Sequence, residues 1–99
     1  MQTLTEDIVQ FVHTRFPRTD IVKVYSALAD GGIRTPRVIR AVLFLSGGSM
    51  ALLHHYIGCA ITDVRRVLTW AEYVVDVSEE PMWVRDLSKP FTHARNAVH

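Results

Sequence analysis

One cysteine, Cys59, stands among 99 residues, so no disulfide can form within the chain. A lone thiol suits a reducing compartment, and the expected location is cytoplasmic. No apolar run comes near the roughly 20 residues that a membrane-spanning helix needs. The opening Met-Gln-Thr-Leu-Thr-Glu-Asp is acidic and amphipathic, so it is not expected to act as a signal peptide. Internal repeats, low-complexity stretches and an interdomain linker are all missing. A net charge of +1 selects neither nucleic acid nor an acidic membrane, so any such partner has to be argued from where the charges lie. Acid is absent altogether between Asp30 and Asp63.

What is present suffices for a core. The apolar fraction is 48%, ordinary for a globular protein. A single domain of this length buries roughly two-thirds of the surface that its unfolded chain exposes. The stretch Thr35 to Gly47 organises the rest. Thr35 is a good N-cap, Pro36 fits the first helical position, and Gly47 can close the helix in the left-handed region. Between them, only Arg37 and Arg40 interrupt an apolar surface, and a helix of that kind is normally buried.

Four more helices flank it. Thr3 and Glu6 match a capping box ahead of Leu4, Ile8, Phe11 and Val12, and Pro17 ends that helix near Phe16. Thr19 or Asp20 starts a second helix with a stripe of Ile21, Val24, Tyr25 and Leu28, stopped by Gly31-Gly32. Ser49 caps a fourth, lined by Met50, Leu53, Ile57 and Ala60 or Ile61. Thr62 or Asp63 caps a fifth, lined by Val64, Val67, Leu68 and Ala71. The spacing is helical throughout, and short connections favour antiparallel neighbours. The predicted fold is all-α: a compact five-helix bundle over 1–77 and a C-terminal segment over 78–99. Within that segment Met82, Trp83, Val84 and Leu87 are expected to form a short helix, and the end from Thr92 is expected to be loosely ordered. Val38, Ile39, Val42, Leu45, Leu53, Ile57, Val67 and Leu68 should lie at the centre.

Chemistry is sparse. His55 and Cys59, four apart, are weak metal candidates, because a zinc site needs three or four ligands. Cys59 lies late in its helix, where the dipole does not favour a thiolate. Gly47-Gly48-Ser49 lacks the surroundings of a nucleophile elbow and carries no phosphate-loop signature. With no reaction constellation, no catalytic role and no cofactor are expected. Glu72 opposes the dipole at the end of the fifth helix, which calls for a specific partner such as an arginine.

The charge pattern says more. Arg34, Arg37 and Arg40 recur every third residue in the acid-free stretch, and Arg65 and Arg66 form a second basic pair. Trp70 and Trp83 add aromatics, and Trp, Met and Arg are enriched at interface centres. The expected function is a non-catalytic protein–protein interaction or regulatory module, an adaptor, with Arg37, Arg40, Arg65, Arg66, Trp70 and Trp83 as contact residues. Its partner is another protein or a second copy. A nucleic-acid-binding regulator using the same arginines is the alternative; against it, the Arg37–Leu45 helix offers few polar side chains to base edges. Trp83 and Leu87 either fold back as a lid or dock on a partner.

Overall fold

Local helix signals decide most of the architecture. The structure is a computed structural model that describes residues 4–74, 82–83 and 85–91, with side chains for 4–73 and 85–91. Among the described residues it is an all-α bundle of five helices. Helix α1 spans Glu6–Arg15. A 3-10 turn over Arg18–Asp20 leads into α2, Ile21–Asp30. Helix α3 is Pro36–Ser46, α4 is Met50–Thr62 and α5 is Val64–Glu72.

The start of α1 differs from expectation. Thr5 is its N-cap residue, with an extended backbone, so Glu6 is the first helical residue and cannot sit at the third position of a capping box. Thr3 lies outside the described residues. The end is as predicted: Phe16 is extended ahead of Pro17 and its ring is buried. Helix α2 closes in a Schellman motif, in which Ile33 N–H bonds the Leu28 carbonyl and Gly32 N–H bonds that of Ala29. Leu28 and Ile33 are both buried, the apolar contact that usually accompanies this motif.

Helix α3 begins behind Thr35 with Pro36 at its first position and ends at Gly47, whose φ of 58° is left-handed. The Thr35 hydroxyl makes no cap bond; its carbonyl accepts from Ile39 N–H instead. Gly48 follows at φ 94°, and a Cβ there would collide with the Arg15 carbonyl, so the α3–α4 turn presses on the end of α1. Ser49 caps α4 by accepting from Leu52 N–H at 3.2 Å. Asp63 alone links α4 to α5 and caps α5 by accepting from Arg65 N–H at 3.1 Å.

Helix α3 packs against α1, α4 and α5, while α2 packs against α1 and α4. Ile39, Val42, Leu53, Ile57 and Val67 are buried at the centre as predicted. Val38, Leu45 and Leu68 sit at the edge of the core, and Ile8, Val12, Val24 and Leu43 are fully enclosed. Helix α3 is not buried all round, since Phe44 is exposed.

The C-terminal segment departs most from the sequence reading. Met82–Trp83 is extended, not helical: it forms strand β2 and pairs antiparallel with β1, Tyr73–Val74. Tyr73, Val74 and Trp83 are β-branched or aromatic, residue types that favour a pleated strand over an isolated helical turn. Residues 85–91 then return to the bundle. Leu87 is 1% exposed, and the Phe91 ring stacks on Phe11 with centroids 4.7 Å apart. Residues 92–99, expected to be loosely ordered, lie outside the described residues. Among the described residues, no helix is long and apolar enough to cross a membrane.

Candidate functional site

The arginines that the sequence places on one stripe have different fates. Arg40 is 3% exposed. Its Nε donates to Asp7 Oδ2 at 2.9 Å and its Nη2 to Asp7 Oδ1 at 3.2 Å. The remaining nitrogen, Nη1, donates to the Leu87 carbonyl at 3.0 Å. Arg40 is therefore no contact residue for a partner; it is a buried cation between α1 and the C-terminal segment. Arg37, half exposed, pairs with Glu72 through Nε at 2.9 Å and Nη2 at 2.6 Å. Glu72 is wholly buried, which answers the need for a partner at the end of α5.

Each buried carboxylate does a second job. Glu72 Oε2 accepts from Leu87 N–H at 3.1 Å, and Asp7 Oδ2 accepts from Phe91 N–H at 3.0 Å. A buried carboxylate has more acceptor positions than one arginine fills, and the surplus captures main-chain N–H groups that would otherwise lose water unpaired. Among the described residues, no buried side-chain polar atom lacks a partner. Arg85 completes the strap: its guanidinium donates to the Ala71 carbonyl at the end of α5 and lies 4.2 Å from the Phe44 ring centroid.

Electrostatics follow from this geometry. Burial opposes ionisation of Asp7, but hydrogen bonds from Arg40, the Thr5 hydroxyl and Phe91 N–H, with the Arg40 charge, outweigh it and lower the carboxyl from 3.8 to about 2. Hydrogen bonding to Glu72 raises Arg37 above its ordinary value, partly against burial.

The basic and aromatic residues of α5 remain at the surface. Trp70 is 45% exposed, and the Arg66 guanidinium lies 5.9 Å from its ring centroid. On the other side, Tyr56 of α4 meets Trp70 edge-on at 6.0 Å. Arg65 and Arg66 are exposed and, among the described residues, neither forms an ion pair. Trp70 and Arg66 thus share one surface with Tyr56 at its edge, while Arg65, five positions before Trp70 on α5, points about 140° away from it. Trp83 contributes its backbone to β2 opposite Tyr73, and its side chain lies outside the described residues.

His55 and Cys59 do come together on α4, with Nε2 and Sγ 3.7 Å apart. Among the described residues, no third His, Cys, Asp or Glu joins them, and two ligands fall short of a zinc site. The residues that sequence reasoning missed are Asp7, Arg85 and Phe91, whereas Leu87, one of the two residues read as a lid or a docking segment, packs on the bundle. Asp7 has the form of a first-turn acid serving the helix dipole, and nothing nearby in the chain marks it as a partner of Arg40. Comparison with family models, with curated proteins and with solved structures finds no match to this chain.

Proposed function

We propose that the chain is a non-catalytic interaction module, adaptor or regulator, that binds an acidic protein partner through α5, with Trp70 and Arg66 at the contact and Arg65 on the adjoining flank. The observation that carries this reading is the exposed Trp70 ring with Arg66 against it. An indole left in water beside a guanidinium offers a partner both apolar area and charge, the combination enriched where interfaces concentrate their binding energy. Arg65 adds a second cation without an intramolecular acid among the described residues. Arg37 borders this function only at its exposed side, because Glu72 already holds its fork. The lone thiol fits a cytoplasmic setting for such a module.

The test is capture of partners from a cell lysate by the immobilised chain and by an Arg65→Glu/Arg66→Glu variant whose helicity matches wild type by circular dichroism. Capture by wild type that drops severalfold with the variant is expected; equal capture would sink the assignment. The alternative, a nucleic-acid-binding regulator, draws on the same arginines but has lost Arg40, and much of Arg37, to carboxylates. It would show as DNA or RNA binding at low salt that weakens steeply as salt rises.

A further inference from the structure

Residues 85–91 dock on the bundle largely through their main chain. Glu72 accepts from Leu87 N–H, Asp7 accepts from Phe91 N–H, and Arg40 donates to the Leu87 carbonyl. The strap builds its own turn. Asp86 accepts from Ser88 N–H at 3.0 Å and from the Ser88 hydroxyl, and Lys89 N–H bonds the Asp86 carbonyl at 3.3 Å. That turn presents Leu87, the one side chain of the strap that is wholly enclosed, while Ser88, Lys89 and Pro90 face solvent. On either side of it, Arg85 lies over Phe44 and Phe91 stacks on Phe11. Main-chain bonds, one enclosed anchor and two flanking contacts are how a folded surface holds a short peptide.

We infer that the site between α1, α3 and α5 is a peptide-binding site, held shut by the chain's own residues 85–91, and that a segment of another protein displaces them. The site stays satisfied when the strap leaves. Asp7 keeps Arg40 and Glu72 keeps Arg37, so neither carboxylate becomes the uncompensated buried charge that makes a broken pair costly. With one enclosed side chain, the strap is also the element that opens before the helices do. The pairing of Met82–Trp83 with Tyr73–Val74 keeps the released strap close, so a competitor meets it at high effective concentration. A second copy offers only the contacts that the strap already makes, at the added cost of association. A foreign segment with better-fitting flanks gains more, and its chemistry is set by the site. Any residue supplies the main-chain bonds, except that proline lacks the N–H needed at positions 87 and 91. Side chains make the selection: arginine to lie over Phe44, leucine two positions on for the enclosed place, and an aromatic four further to stack on Phe11. The occupant is thus a turn of the pattern Arg-x-Leu-x-x-x-Phe.

Fluorescence anisotropy tests this with a labelled, end-capped peptide of the sequence of residues 85–91, added to the full chain. Leu87→Asp in the chain puts a charge where the enclosed leucine sits and should empty the site. That variant should bind the peptide at least about tenfold more tightly than wild type, because the strap scales the apparent affinity by the fraction of sites it leaves open. A peptide carrying Leu87→Ala should not bind. Hydrogen exchange of the wild-type chain adds a readout that needs no variant to fold: the Leu87 and Phe91 amides should exchange through an opening that leaves those of Val42 and Leu53 protected. The inference is overturned if a Leu87→Asp chain of wild-type helicity binds the peptide no better than wild type, or if the Leu87 and Phe91 amides exchange only together with Val42 and Leu53, in global unfolding. Dimerisation of the wild-type chain without peptide, seen by sedimentation, would give the site to the strap of a second copy and overturn the foreign partner. None of these changes touches Arg65, Arg66 or Trp70, so failure here and failure of partner capture at α5 are read separately.

Discussion

Replacing Arg40 by methionine tests the buried network directly. Met approximates the length of the arginine stem and removes the guanidinium. Asp7, whose side chain is 6% exposed, then loses both bonds from Arg40 and keeps only the Thr5 hydroxyl and Phe91 N–H. The Leu87 carbonyl loses its donor as well. Breaking a buried pair on one side costs about 3–5 kcal/mol, because the remaining charge is left uncompensated. That is a large share of the about 5–15 kcal/mol expected for a domain of this size.

The pH dependence supplies a sign. In wild type the folded carboxyl of Asp7 sits at about 2, against an ordinary 3.8. The resulting stabilisation, about 2 kcal/mol, is fully present above the unfolded value and is lost as pH falls through the folded one. Roughly half of it remains at pH 3. Without Arg40, burial is opposed only by the Thr5 hydroxyl and Phe91 N–H, so Asp7 rises from its wild-type value and the variant loses less stability than wild type as pH falls. Urea unfolding followed by circular dichroism at pH 7 and pH 3 should therefore show a large deficit that shrinks in acid. Adding Asp7→Asn to Arg40→Met should recover part of it at pH 7. A loss below about 1 kcal/mol at pH 7, the value for an exposed pair, would place Arg40 at the surface and refute the buried network.

Two further outcomes probe the strap and the turns. Leu87→Ala should lower stability by about 2–5 kcal/mol through the cavity it leaves; hydrogen exchange should find the Leu87 and Phe91 amides protected in wild type and faster in the variant, and fast exchange in wild type would contradict their bonds to Glu72 and Asp7. Gly48→Ala should lower the melting temperature, because the φ of 94° and the Arg15 carbonyl both oppose a Cβ, whereas Gly58→Ala should raise it, by a gain of about 0.5–1 kcal/mol in helix propensity; thermal scans that rank the two the other way would refute the assignments.

Local chemistry made the helices legible in the amino-acid sequence. Thr35-Pro36 and Gly47 bracket α3, Ser49 starts α4 and Asp63 starts α5, because a helix end is set by the backbone preferences and hydrogen bonds of a few adjacent residues. The apolar spacing named Ile39, Val42, Leu53, Ile57 and Val67 for the same reason: a 3.6-residue period is a property of the chain alone. Glu72 showed by its place on the helix dipole that it needed a cation. Which cation, and which arginines would be left for a partner, was decided only in three dimensions. The stripe of Arg37 and Arg40 faces water or protein according to what lies over it, and what lies over Arg40 is Asp7 from α1 together with Leu87 from the far end of the chain. Tertiary structure also set Met82–Trp83 as a strand, since a two-residue ladder exists only when its partner, Tyr73–Val74, is brought alongside. Contacts of this kind join residues remote in sequence and leave no periodic mark on either.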